Sequence, residues 1–207
     1  MKIIITCGPS YEPIDGMRRI TNASTGELGL MLAERLSADG HDVTVLKGAM
    51  AVSQHPCGTA RVVSFSTNDD LLGKLRSHSA DAIFHAAALC DFRVKGARIA
   101  GKIPTSAGNL TLTLEPTTKV LPQLRTLFPV AQIFGWKFEV DGTRDAVLAK
   151  ALSQLHDCQT DRCVVNGNAW GSGFGVVRGD GSVVEIASRP ELCDCLAKLI
   201  VHSSKSP

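Results

Sequence analysis

The chain of 207 residues is poor in aromatics, at 5% with a single tyrosine, and nearly balanced in charge, with 22 Lys and Arg against 20 Asp and Glu. No basic cluster is interleaved with aromatic residues, so nothing in the sequence suggests a nucleic-acid surface. No apolar run approaches the roughly 18 residues of a membrane span. Met1-Lys2-Ile3-Ile4-Ile5 gives way at once to polar residues, without the pattern of a secretory leader. These absences lead us to expect a cytoplasmic protein with no nucleic-acid or membrane partner. The seven cysteines include no C-x-x-C pair, and the side chains of Cys193-x-Cys195 would diverge on a helix. Reduced thiols, many of them buried, are the reading for such a set, and no protein-borne metal site is expected. Neither G-x-G-x-x-G nor G-x-x-x-x-G-K-[ST] occurs, and the only tyrosine, Tyr11, forms no Tyr-x-x-x-Lys pair. A dinucleotide oxidoreductase therefore ranks low.

The pattern that is present alternates between two periods. Residues 2–6 read as a buried β-branched strand, 7–23 as a loop, and Ser24-x-x-Glu27 as a capping box opening a helix that Gly40 ends. Strands follow at 43–46, 61–65, 81–87, 110–114, 131–136 and 162–166, with helices at about 68–77, 117–127 and 143–156. A hairpin spans 175–186 and a last amphipathic helix starts after Pro190. Residues 90–109 read as irregular. The expected fold is α/β, a doubly wound, mostly parallel Rossmann-like sheet with helices on both faces and a hairpin or flap addition. One domain, residues 1–202, accounts for the chain, with 203–207 as a disordered tail.

Five constellations carry chemistry. Arg18, Arg19, Asn22, Ser24, Thr25 and Gly26 combine cations, an amide and hydroxyls at a helix start, where free N–H groups favour an anion; the competing reading is a plain cap and turn. His85-Ala86-Ala87-Ala88-Leu89-Cys90-Asp91 ends a strand in small residues that admit a flat ligand to the backbone. There Asp91 either meets a ribose or base edge or caps a turn, and His85 reads as a satisfied core histidine. Lys102 stands in a long irregular stretch with Lys95 and Arg98, either over phosphates or simply solvated. Trp136 and Lys137 end another strand, with Trp136 stacking on a base or packing in the core. Asn166 follows a buried strand and either lines a cleft or starts a turn. Four of the five follow strand C-termini, which converge on one crevice in a doubly wound sheet.

Thr6-Cys7-Gly8-Pro9-Ser10-Tyr11-Glu12-Pro13-Ile14-Asp15-Gly16-Met17-Arg18-Arg19-Ile20-Thr21-Asn22-Ala23-Ser24-Thr25-Gly26-Glu27-Leu28-Gly29, then Ala87-Ala88-x-x-Asp91-Phe92, Lys102-Ile103, Thr117–Leu121, Gly135-Trp136-Lys137-x-Glu139 and Val165-Asn166, together resemble the phosphopantothenate–cysteine ligase family, in order and over nearly the whole chain. The resemblance implies a ligase of coenzyme A biosynthesis. It would join 4′-phosphopantothenate to cysteine through an acyl-nucleotide intermediate, with CTP or ATP as co-substrate and Mg²⁺ on the triphosphate. The implied catalytic residues are Asn22, Arg18 and Lys102. The implied nucleotide contacts are Ala87, Asp91, Lys102, Lys119 and Trp136, and the implied substrate contacts are Ser24, Thr25, Gly26 and Asn166. A homodimer is implied, with a flap at about 95–114, as is a separate flavin-dependent decarboxylase. The chain departs from the bacterial pattern at Pro104 and Thr105, and at Gln154 and Cys158, where bacterial members carry lysines; Lys119, Lys137 or Lys150 could partly compensate. A homologue that binds nucleotide or a phosphopantothenate-like acid without ligating cysteine is the alternative.

Overall fold

The computed structural model describes residues 1–96 and 101–200. Along the chain run β1 (Lys2–Cys7), β2 (Tyr11–Pro13), β3 (Arg19–Thr21), α1 (Glu27–Ala38), β4 (Asp42–Gly48), β5 (Arg61–Phe65), α2 (Asn68–Arg76) and β6 (Ala82–His85). Then come β7 (Phe92–Val94), β8 (Leu114–Pro116), α3 (Leu124–Leu127), β9 (Gln132–Phe138), α4 (Arg144–Asp157), β10 (Arg162–Asn166), β11 (Phe174–Val177), β12 (Val183–Ile186) and α5 (Arg189–Leu199).

β-branched and aromatic runs that alternate between the two faces build an eight-stranded sheet in the order β12-β11-β10-β9-β6-β1-β4-β5. Six strands, β10 to β5 in that order, are parallel, and β11 and β12 add on as antiparallel strands. Taken in chain order, the parallel strands lie 3-2-1-4-5-6, with the reversal between β1 and β6. The expected doubly wound class is therefore observed.

Strand parity sorts the core into layers. Ile3, Ile5, Val43, Val45, Phe84 and Phe134 face α1 and α5 on one side. Ile4, Leu46, Ile83 and Ile133 face α2 and α3 on the other, and Cys163 and Val165 extend that side under α4. Phe84 and Phe134 sit opposite each other in the β6–β9 register and stack with centroids 4.4 Å apart, an arrangement worth about 0.5–1.5 kcal/mol beyond burial.

Several local expectations are corrected. The 7–23 loop contains the β2–β3 hairpin, and the irregular 90–109 stretch contains β7, which pairs with β8. The strand expected at 110–114 begins only at Leu114, because its partner β7 is three residues long and leaves 110–113 without a ladder. The helix expected over 117–127 is a 3-10 turn at Leu121–Gln123 followed by the single turn of α3; Pro122 has no N–H to give to a longer helix. Ser24 does not cap α1. Gly26, in a left-handed conformation with φ 77, is the residue before the helix and has no side chain to cap it, and the Glu27 N–H is met by Thr25 Oγ1 instead. The Ser-x-x-Glu cap occurs at α5, where Ser188 accepts the N–H of Glu191 and its hydroxyl meets Glu191 Oε1, so that helix starts at Arg189 rather than after Pro190. Arg98 and the tail at 203–207 lie outside the described residues.

All seven cysteines are free. Burial pushes the thiols of Cys7 and Cys163 up to about 12 and that of Cys193 to about 11, which makes them packing groups and not nucleophiles. No helix among the described residues is long and apolar enough to cross a membrane.

Candidate active site

The reversal of strand order between β1 and β6 opens a cleft at the C-terminal edge of the sheet. It has a volume of about 770 Å³ and brings together Asn22, Ser24, Thr25, Gly26, Ala87, Asp91, Trp136 and Asn166. These eight residues come from four separate stretches of the sequence. A smaller recess of about 210 Å³ shares Ala87, Asp91 and Trp136 with it and adds Asn68, His85 and Lys119.

The first wall is the start of α1. A Cβ on Gly29 would fall 2.2 Å from Cys7 Cβ, so the helix lies against β1 at a distance that only glycine allows. Leu28 and Gly29 line the cleft within the first helical turn, where backbone N–H groups have no intrahelical acceptor. Thr25 Oγ1 accepts the N–H of Glu27 at 3.3 Å. Asn22 Nδ2 donates to the Leu89 carbonyl at 2.9 Å. That bond fixes the plane of the amide and leaves its second N–H for a ligand.

The second wall is the Ala86-Ala87-Ala88-Leu89 run after β6, whose missing side-chain bulk leaves the backbone approachable. His85 at its base is 6% exposed and shares a 2.8 Å hydrogen bond between Nδ1 and Thr6 Oγ1. Burial pulls its pKa down to about 4, so the ring is neutral near pH 7, as expected of a satisfied core histidine. Asn68 is 1% exposed and holds the recess together, with Nδ2 reaching the Cys90 and Thr118 carbonyls and Thr117 Oγ1 at 2.8, 3.0 and 2.9 Å.

The third wall is Trp136, Phe138 and Asn166. Trp136 lies within β9 and not after it. Its Nε1 and Asn166 Oδ1 are buried without a hydrogen-bond partner among the described residues, and a ligand carrying an acceptor and a donor would complete both.

The cations divide differently from expectation. Arg18, Lys102 and Lys119 do not line the large cleft. Arg18 Nη1 pairs with Asp15 Oδ2 at 2.9 Å, Lys102 is exposed, and Lys119 forms an ion pair with Asp91 in the smaller recess. That pair is exposed on both sides, so it contributes little and gives way easily. Lys150 pairs with Glu139 at 2.5 Å, and strand parity turns Lys137 to the face opposite Trp136. Gln154 Nε2 lies 3.2 Å from Cys163 Sγ, and Cys158 ends α4; neither position carries a cation. Among the described residues that line the large cleft only Arg189 is basic, and its Nη1 is 2.7 Å from Glu27 Oε2, also on the lining. Sequence reasoning missed Arg189. Its one local signal is its place as the first residue of α5, and only the fold brings that helix start to this edge.

The described residues contain no group of three or more His, Cys, Asp or Glu that could hold a metal ion. A divalent cation would therefore fit this cleft only on the oxygens of a ligand.

A parallel 3-2-1-4-5-6 sheet with a helix start and a small-residue wall at its switch point places this chain in the doubly wound α/β class, whose clefts open at that edge. The chain belongs to the family of the DNA/pantothenate metabolism flavoprotein C-terminal domain, whose model matches residues 1–201. It is 30% identical over 170 residues to the coenzyme A biosynthesis bifunctional protein CoaBC of Thermococcus kodakarensis, which covers 80% of this chain and 41% of that one. The chain spans less than half the length of the curated relatives it matches. The solved C-terminal domain of a CoaBC protein superposes with a TM-score of 0.78 at 25% identity, over 96% of this chain and 93% of that one. A Cab2 mutant in complex with phosphopantothenate-cysteine shares the fold, with a TM-score of 0.78 at 20% identity over 95% of this chain and 85% of that one.

Proposed function

We propose that this chain is a phosphopantothenate–cysteine ligase, an enzyme of coenzyme A biosynthesis that uses a nucleoside triphosphate, CTP or ATP. The observation that carries the reading is the switch-point cleft, which gathers Asn22, the Ser24-Thr25-Gly26 helix start, the alanine wall, Trp136 and Asn166. The CoaBC likeness supports the same reaction class, and the ligand of the Cab2 complex supports the product.

In this reading a carboxylate oxygen of 4′-phosphopantothenate attacks the α-phosphorus, and pyrophosphate leaves. The acyl-nucleotide then meets the cysteine amine at its acyl carbon. An N–C bond forms, the C–O bond to the nucleotide breaks, and the amine proton passes to solvent. Asn22, oriented by the Leu89 carbonyl, aims its remaining N–H at the acyl oxygen that gains charge, a contribution of about 10²–10³ in rate for one such donor. Ser24, Thr25 and Gly26 with the first N–H groups of α1 hold the substrate's anionic end, Asn166 Oδ1 accepts from an N–H or O–H of the substrate, and Trp136 Nε1 donates to the nucleotide. The recess of Asn68, His85, Asp91 and Lys119 takes the nucleoside. Arg18 and Lys102 act from the flap side. No side chain of the cleft is assigned to Mg²⁺, which would be carried in by the nucleotide and would supply neutralisation of phosphate charge. The exposed apolar side chains Phe92 and Leu114 on β7 and β8 and Leu110 just before β8 support a homodimer through that surface. A cytoplasmic location and a separate flavin-dependent decarboxylase, which would act on the product of this ligation, complete the reading.

The scarcity of cations in the cleft favours one second reading, a homologue that binds these ligands without joining them. Purified protein with 4′-phosphopantothenate, cysteine, Mg²⁺ and either CTP or ATP decides. The ligase releases pyrophosphate and forms the amide with at least one nucleotide, whereas ligand binding with no pyrophosphate from either leaves only the second reading.

A further inference from the structure

The backbone on both sides of Lys102 is fastened to the turn of the β2–β3 hairpin. The N–H of Gly16 donates to the Gly101 carbonyl at 2.7 Å, and the N–H of Ile103 donates to Asp15 Oδ2 at 3.0 Å. Arg18 Nη2 donates to the Ile103 carbonyl at 3.2 Å. Asp15 is 2% exposed, and its other oxygen accepts the N–H groups of Met17 and Arg18 at 2.8 and 2.7 Å. Arg18 Nη1 also reaches Oδ2, at 2.9 Å. A buried carboxylate is costly unless its lone pairs are filled, and here donors fill both oxygens. Closing the hairpin turn needs only Oδ1. The bond from Oδ2 to Ile103, 88 positions away in sequence, does nothing for the turn. Gly16 adds a steric condition, since a Cβ there would lie 2.8 Å from the Gly101 carbonyl oxygen. Lys102 itself is exposed and makes no ion pair among the described residues.

We propose that Asp15, with Gly16, is a positioning residue: it docks the Gly101–Ile103 backbone so that the Lys102 ammonium stands ready for the phosphates of the nucleotide. The proposal rests on the ligase reading for the identity of that ligand. Arg18 braces this dock through Ile103 and Asp15, beside any contact with substrate. The N–H of Ile103 is the main cause of the low pKa of Asp15, about 2, with that of Met17 next, so the carboxylate is charged throughout the working range.

Two variants test it. Asp15→Asn keeps an acceptor for the turn but turns an amide NH₂ toward Ile103 or Arg18. Gly16→Ala leaves Asp15 intact and obstructs only the approach of Gly101. Without any ligand, trypsin cutting at Lys102–Ile103 reads the dock, and each variant is expected to be cut about tenfold faster than the parent, as a lost charge-assisted bond implies. Calorimetry with Mg²⁺-CTP and Mg²⁺-ATP reads the positioning. The nucleotide Kd is expected to rise about tenfold in each variant, with the Kd for 4′-phosphopantothenate unchanged in Gly16→Ala, which leaves the Asp15–Arg18 pair in place. Adding Lys102→Met should abolish that difference, because the dock then has no ammonium to place. Unchanged cleavage in both variants would overturn the dock. Faster cleavage with unchanged nucleotide Kd, or a Kd rise that persists in the Lys102→Met background, would overturn the positioning role. Pyrophosphate release by the parent is scored separately, so the ligase reading can fail while binding and cleavage still judge Asp15.

Discussion

His85 offers a prediction whose size follows from the fold. It ends β6 at the switch point, is 6% exposed, and is bonded to Thr6 on the neighbouring strand β1. Its pKa falls from 6.5 to about 4 because burial penalises the imidazolium. Above pH 6.5 the ring is neutral in folded and unfolded chains alike and the linkage vanishes. As the pH falls below 6.5, the unfolded chain takes up a proton that the folded one refuses, so stability declines until the folded ring titrates near 4. Between pH 7 and pH 5 the loss from this one group is about 2 kcal/mol. Urea unfolding at both pH values, on the parent and on His85→Gln, isolates it, because contributions of the remaining histidines cancel in the comparison. The parent should lose about 2 kcal/mol more than the variant. Equal losses would refute the claim that a buried neutral histidine floors the recess.

Three further outcomes follow from the site. Asn22→Asp should lower kcat by about 10²–10³ with little change in Tm, since Asn22 is exposed; an unchanged kcat would remove the acyl-oxygen role. Arg189→Ala takes away the basic residue of the large cleft and should raise KM for 4′-phosphopantothenate about tenfold while Arg189→Lys recovers part of it; equal KM values would leave Arg189 as a partner of Glu27 alone. Gly29→Ala forces a Cβ to within 2.2 Å of Cys7 Cβ and should cost about 1–3 kcal/mol in chemical denaturation, and a wild-type midpoint would mean that α1 can move off β1 freely.

Much of the sheet was legible because burial on both faces writes itself into short β-branched runs. β10 falls where Arg162–Asn166 predicts it, and the edge strand β5, exposed along most of its length, falls at Arg61–Phe65 on its β-branched pair alone. The errors have local causes. Ser24-x-x-Glu27 and Ser188-x-x-Glu191 are the same pattern, yet only the second is a cap. Gly26, left-handed beside Gly8, sets the start of α1 by a backbone approach that no spacing encodes. β7 and β8 were half missed because each is three residues long and has only the other as its ladder. Among the site residues, Ala87, Asp91, Trp136 and Asn166 were placed together on the ground that parallel strands end at one edge, and they share the cleft. Lys137 was a candidate only so long as strand parity was left out of account.

The sequence by itself determined the alternation of elements, which face of each strand is buried, and the residue types able to meet an anion and a carbonyl. These depend on neighbours within a few positions and on the periods of strand and helix. The tertiary structure alone decided which of them meet. The antiparallel return through β11 and β12 delivers the start of α5, and with it Arg189, to Glu27 and the cleft. The hairpin turn carries Asp15 to Ile103. Both contacts join residues far apart in the chain, and their geometry is the sum of every crossover between them, which no local pattern records.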